Sequence, residues 1–297
     1  MEKNGVIIIN KEEGMTSQTV VNRVKRLLGL QKAGHTGTLD PMATGVLPVL
    51  CDRGVKCSEY LLSSVKHYTA TMRLGVMTDT EDITGNVLST SDAIPSEEAV
   101  LAAVPHFIGE ISQIPPMYSA LKKNGRKLVD LARQGITVER EPRRITVYRL
   151  SAKKVDRENY RLDVVCSKGT YIRTLCADIG EFLGCHAAMA ALCRAESGGF
   201  SLNDAVTLGE LEAMTEEERC RRIIPVETLF RDKPALKLSA FYSRLAKNGC
   251  EIYLRKIGVD VPVGTRFRLY DSDGVFFGIG DAESFPDGDA VRVLKHF

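Results

Sequence analysis

The chain has 297 residues, 44% of them apolar and 26% charged, a composition of soluble globular proteins with room for two domains. A net charge of +2 gives no global sign of a polyanion partner, and eight cysteines without a Cys-x-x-Cys pair argue against a zinc site and for reduced thiols. No apolar run approaches the roughly 20 residues that a membrane helix requires, and no secretory pattern opens the chain, so a cytoplasmic protein is expected.

Gly5–Asn10 is a β-branched run and predicts a strand. Thr16 or Ser17 can cap a helix reaching about Leu28, with Val20, Val21, Val24, Leu27 and Leu28 as its apolar stripe and Gly29 as its stop. The segment Gly34–Val49 holds three glycines, two prolines, one histidine and one aspartate. Its glycines allow close backbone approach, and Pro41 biases Asp40 towards extended geometry. A stiff, exposed loop presenting Asp40 and His35 is expected, although the composition alone also fits an ordinary turn.

Val46–Leu50 then predicts a buried strand and Val55–Leu62 a helix with Lys56 near its start. His67–Leu74 alternates as a strand with one wet face does, with Tyr68 at its beginning, and Gly75–Gly85 reads as a polar loop. Ser96-Glu97-Glu98 starts a helix that continues to Phe107, and Pro115-Pro116 keeps Ile111–Ala120 extended. From Ser119 to Arg149 nine basic residues, Lys122 and Arg126 among them, face three acidic ones, an excess best explained by contact with nucleic acid. Ile145–Val155 and Tyr160–Cys166 predict a hairpin, and Ser167–Leu175 leads into a helix ending near Gly184. Arg173 falls in that helix's first turn, where a positive charge opposes the helix dipole. Asp204–Glu218 reads as a solvated helical region.

Arg231–Pro234 is the best linker, which divides the chain into residues 1–231 and 237–297. The tail predicts a short helix at Ser239–Asn248, then short strands, with Asp273-Gly274 marking a hairpin between Arg266–Tyr270 and Val275–Ile279. It carries nine basic and eight acidic residues, so it is expected to support RNA contact and not to lead it.

The run from Gly34 to Pro48 resembles the signature loop of the TruB family, the bacterial tRNA pseudouridine-55 synthases: Gly34, His35, Thr36, Gly37, Leu39, Asp40, Pro41, Ala43, Thr44, Gly45, Leu47 and Pro48 fit its pattern. The likeness continues through Asn10–Ser17, Thr80 and Asp82, Ser119-Ala120-x-Lys122-x-x-Gly125-x-x-Leu128, Tyr171 and Arg173, and Leu192–Phe200. It implies an α+β pseudouridine synthase fold with a mixed, largely antiparallel sheet flanked by helices, a basic RNA-gripping insertion at about 119–149, and a small C-terminal PUA-like β-barrel. It also implies isomerisation of the T-loop uridine of tRNA, without cofactor or metal, by a monomer that needs no protein partner.

On this resemblance Asp40 is the catalytic carboxylate, Arg173 its ion-pair partner, and Tyr68 the aromatic face for a flipped uracil and a proton acceptor. Tyr171 and Leu192 complete the pocket, and His35, Asp82, Lys56, Lys122 and Arg126 serve the substrate or RNA. Glu12 and Glu13 stand where the family usually has a proline, so Lys11 is open between a phosphate or active-site contact and a solvated loop lysine. Two other readings use the same features: an RNA-binding or RNA-chaperone protein without catalysis, and a guide-dependent synthase within a ribonucleoprotein. A glycosidase would normally need a second placed carboxylate.

Overall fold

The first strand is Gly5–Lys11 (β1), buried at every position but one. Its unbroken apolar run, without polar alternation, is what burial on two faces requires. The computed structural model describes residues 3–62 and 64–297. Helix α1, Ser17–Leu27, follows, and Thr16 caps it by accepting from the Thr19 N–H. The next long strand is Thr44–Cys51 (β2). After it come Lys66–Leu74 (β3), Gly109–Gln113 (β4), Arg143–Lys154 (β5), Asn159–Cys166 (β6), helix α2 at Ile172–Phe182, and Ala187–Ser197 (β7).

The strands lie side by side in the order β1-β2-β7-β3-β6-β5-β4. Every pair in that order is antiparallel except β2 with β7. This is the mixed, largely antiparallel sheet expected. Val20, Val21 and Val24 of α1 and Leu175 and Ile179 of α2 join Ile7, Leu47, Met72 and Leu162 of the sheet in one core.

At the single parallel seam Arg194 stands opposite Gly45. Gly45 has φ +104°, and a Cβ there would lie 2.3 Å from the Arg194 carbonyl oxygen. Only glycine fits that approach.

Two expectations are refined. Gly75–Gly85 is not wholly loop, because Val76–Thr78 pairs with Val87–Thr90 as a small two-stranded ribbon. The basic insertion has structure of its own. Lys122-Lys123 and Arg126-Lys127 form a hairpin around Asn124 (φ +50°) and Gly125 (φ +80°), the positive angles of a tight hairpin turn. Helix Leu128–Ala132 follows, and a separate cluster of Met117, Leu128 and Leu131 roots the insertion.

The tail contains helix α3 at Ala240–Lys247 and strands Arg266–Tyr270 (β8), Phe276–Phe285 (β9) and Gly288–His296 (β10). The predicted Asp-Gly hairpin joins β8 to β9. Its five-stranded sheet is curled into a half-barrel, in keeping with the small PUA-like β-barrel expected, with the short strands Ala235–Lys237 and Ile252–Tyr253 at its edges. The tail meets the rest of the chain through a cluster of Cys57, Val226, Phe230 and Ile279 and an ion pair between Lys295 and Glu59. No helix among the described residues is long and apolar enough to cross a membrane.

Candidate active site

The loop that carries Asp40 is fixed from both sides of the aspartate. Ser17 Oγ donates to the Leu39 carbonyl (3.1 Å) and accepts from the Leu39 N–H (2.9 Å). Lys11 Nζ donates to the carbonyls of Pro41 (3.1 Å), Ala43 (2.6 Å) and Glu12 (2.9 Å). Ser17 and Lys11 are themselves buried. The loop is therefore stiff, as expected, but only partly exposed: Thr36, Leu39 and Ala43 are buried, while Thr38 and Pro41 stand open. Asp40 keeps 32% of its side chain open.

Arg173 reaches Asp40 from the first turn of α2. Its Nε lies 2.9 Å from Asp40 Oδ2 and its Nη2 3.2 Å from Oδ1, a two-point contact. The other donors go to main-chain oxygens, Nη1 to Thr80 (2.9 Å) and Nη2 to Tyr118 (2.9 Å). The guanidinium that sits poorly with the helix dipole thus ties together three segments distant in sequence. Asp82 is buried beside it, with Oδ2 at 3.9 Å from Arg173 Nε, while Oδ1 accepts from Thr80 Oγ1 (2.9 Å) and the Thr84 N–H (2.9 Å). Burial pushes the Asp40 carboxyl above its ordinary value, Arg173 pulls it back, and Asp82 adds to the rise.

Tyr68 lies on β3, buried, opposite Arg194 of β7 on one side and Val164 of β6 on the other. Burial pushes its phenol up, and a hydrogen bond and positive charge from Arg194 pull it back. Leu192 is buried two residues before Arg194 on β7. Tyr171 takes the N-cap position of α2, where Gln113 accepts from its N–H (2.8 Å) and donates to its carbonyl (3.0 Å). His35 lies in a three-residue strand paired with β2, half-buried, and its Nδ1 has no hydrogen-bond partner among the described residues. Burial, with Arg194 second, holds its ring below the usual histidine range.

Not every sequence candidate meets the Asp40–Arg173 contact. Of the readings open for Lys11, the structure gives a contact at the Asp40 loop and not a solvated lysine, because its three donors are taken by loop carbonyls. Its burial lowers it to about 8. Lys56 is turned to the tail, where Nζ donates to the His296 carbonyl (2.8 Å), so it is not placed beside Asp40. Lys122 and Arg126 are exposed on the insertion hairpin, outside the Asp40–Arg173 contact.

Sequence reasoning passed over two residues. Arg194 is the largest fully buried side chain, with Nε on the Val46 carbonyl (2.7 Å) and Nη2 on the Gly37 carbonyl (3.1 Å). It stands in the Leu192–Phe200 segment, where only Leu192 was singled out. Lys66 is two residues before Tyr68, hence on the same face of β3. It is buried, donates to the Ser64 carbonyl (2.9 Å), and is lowered to about 8 by burial and then by Arg194.

With this geometry in hand, similarity to known proteins can be weighed. The profile of the TruB family pseudouridylate synthase (N terminal domain) matches residues 25–172, and that of the tRNA pseudouridylate synthase B C-terminal domain matches residues 173–231. The tRNA pseudouridine synthase B of Burkholderia pseudomallei (strain 668) is 44% identical over 281 residues, 94% of this chain and 93% of that protein. That of Clostridium perfringens (strain 13 / Type A) is 42% identical over 280 residues, 93% of this chain and 94% of that one. Among solved structures, a chain in the crystal structure of a Cbf5-Nop10-Gar1 complex is 27% identical at a TM-score of 0.69, with 99% of this chain and 85% of that one covered. A chain in the archaeal box H/ACA sRNP Nop10-Cbf5 complex is 26% identical at a TM-score of 0.68, over 99% and 86%. Sequence likeness over nearly the whole length, on a shared fold, means that the chain belongs to the TruB family of pseudouridine synthases.

Proposed function

We propose that this protein isomerises the T-loop uridine at position 55 of tRNA to pseudouridine, acting as a cytoplasmic monomer on bare tRNA, with Asp40 as its catalytic carboxylate. The observation that carries this reading is the two-point contact of the buried Arg173 with the partly open Asp40. The enzyme class itself, a tRNA pseudouridine synthase and hence an isomerase, follows from kinship over 94% of the chain.

The reaction breaks the N1–C1′ bond, turns the uracil while it is held, joins C5 to C1′, removes the C5 proton and returns a proton to N1. Atoms balance without an oxidant or a co-substrate. Asp40 attacks the sugar or assists elimination across it, and both routes need it ionised at the moment of reaction. Burial opposes ionisation and Arg173 supports it. The uracil leaves its stack to reach Asp40 and finds Tyr68 as its aromatic face. Tyr68 takes the C5 proton, and Leu192 and Tyr171 close the pocket. His35 lies against the RNA and holds the loop open after flipping. The exposed hairpin with Lys122 and Arg126 grips phosphates, as suits an RNA loop recognised by shape and splayed bases.

The test is tritium release from C5-labelled uridine in a tRNA T-arm stem-loop, with no guide RNA present. Release by the intact protein and none by Asp40→Asn is expected. No release by the intact protein, with binding retained, would favour the non-catalytic or guide-dependent readings. Activity on whole tRNA but not on the T-arm would remove the T-loop assignment.

A further inference from the structure

A fully buried cation normally has a carboxylate partner, because an unpaired charge is costly away from water. Arg194 is 1% exposed, and among the described residues it makes no ion pair. Its side chain instead spans two parts of the site. Nη2 holds the Gly37 carbonyl, three residues before Asp40, and Nε holds the Val46 carbonyl of β2, just after the loop. Across the antiparallel pair of β7 with β3, Arg194 is in register with Tyr68, and its positive charge opposes the rise that burial gives the phenol. The main chain of Arg194 is fixed as well, packed against Gly45 so closely that a methyl group would not fit. The residue is thus held at its root by the parallel seam and at its tip by the loop.

We infer that Arg194 is a positioning residue, which sets the Tyr68 hydroxyl and the Asp40 loop in one frame. The inference rests on the reading of Asp40 and Tyr68 given above and deepens it. A guanidinium beside a phenol favours the form able to accept a proton, the form a C5 deprotonation needs. The same guanidinium fixes the carbonyl of Gly37, so a shift of its head moves the phenol and the carboxylate loop relative to each other. Displacements of about 1 Å at reacting groups cost on the order of a hundredfold in rate. The groups facing the phenol are Arg194 from β7, Cys166 from β6 and Asp40 from the loop, with Lys66 on the same face of β3. Across the strand pair only Arg194 is positive.

The experiment compares Arg194→Lys, which keeps the charge and loses the fork, with Arg194→Met, which loses both. Folding is checked by circular dichroism and urea melts, and single-turnover rate and RNA affinity are measured separately. The expected result for a folded Arg194→Lys is a rate lower by about tenfold or more with affinity within about twofold. In Arg194→Met the alkaline-going rise of the pH–rate profile should also move up, since the phenol loses the positive charge opposite it across the strand pair. A folded variant with an unchanged rate, or a loss that merely tracks the unfolded fraction, would overturn the inference. A second readout does not depend on turnover. In RNA-free protein, NMR titration should show the His35 ring rising by about half a pH unit or more in Arg194→Met, because a nearby positive charge is gone. An unmoved ring would mean that the guanidinium does not occupy this place. If the intact protein releases no tritium, the functional reading fails, and the titration still decides where Arg194 sits.

Discussion

Arg173→Met tests the core of the site. Arg173 is 4% exposed and makes two contacts to Asp40 and one each to the carbonyls of Thr80 and Tyr118. Removing one partner of a buried pair typically costs about 3 to 5 kcal/mol. Asp40 keeps 32% of its side chain open, so the lower end, about 3 kcal/mol, is expected in urea unfolding. The kinetic effect is more specific. Burial already pushes the Asp40 carboxyl up, and Arg173 is the leading group that pulls it back. Loss of an opposite charge at this distance raises a carboxyl by roughly 1 to 3 pH units. The reaction uses the ionised carboxylate, so activity is present above its pKa and lost below it. The acid limb of the single-turnover pH profile should therefore move up by that amount, with activity partly restored as the pH is raised. Arg173→Lys should move the limb less, because it keeps the charge without the fork. A folded Arg173→Met whose acid limb stays within about half a pH unit of the intact protein would refute this electrostatic account.

Four further outcomes are expected. Tyr68→Phe should bind RNA as before, by filter binding, and lose about a hundredfold or more in turnover; full activity would remove the phenol from proton transfer. Gly45→Ala should cost about 3 kcal/mol or more in urea unfolding, since its φ is +104° and its Cβ would meet the Arg194 backbone. Gly34→Ala, where nothing lies within 4 Å, should cost about 1 kcal/mol or less. RNA affinity should fall steeply with salt, and Lys122→Ala and Arg126→Ala should each reduce the logarithmic slope by about 1; an unchanged slope would take the hairpin out of the phosphate grip.

The elements that were legible are those whose cause is local. The alternation of His67–Leu74 reports one packed face, and it became β3 at Lys66–Leu74. Thr16 before an apolar stripe reports a helix start, and it caps α1. The Asp40–Arg173 pair was legible only through two family motifs, since 133 residues separate the partners. Arg194 gave no periodic signal because an arginine reads as surface. What buries it are carbonyls 148 and 157 residues away, Val46 and Gly37, and the parallel seam that brings them close. Lys11 stayed open between two readings for the same reason. Its polar neighbours Glu12, Glu13 and Gly14 read as a wet loop, whereas its own side chain runs inward to the Asp40 loop. Lys56 sits in a predicted helical stretch, but its direction depends on where the tail docks, which local sequence does not encode.

The way these cations are satisfied bears on the chemistry. Lys11, Lys66, Arg173 and Arg194 are all buried around the loop and Tyr68, against three nearby carboxylates, Asp40, Asp82 and Glu81. Three of the four, Lys11, Lys66 and Arg194, hydrogen-bond to carbonyl oxygens of the main chain and not to carboxylates. Carbonyl dipoles fix geometry without cancelling charge, so the cluster stays positive. In the proposed reaction the uracil departs carrying negative charge and the RNA brings phosphates, and a pre-organised positive site stabilises both without reorganising at the moment of bond breaking. A site neutralised by acidic residues would hold the same loop equally firmly but would lose that advantage. The carbonyl-anchored arrangement therefore favours catalysis over a purely architectural role for these residues.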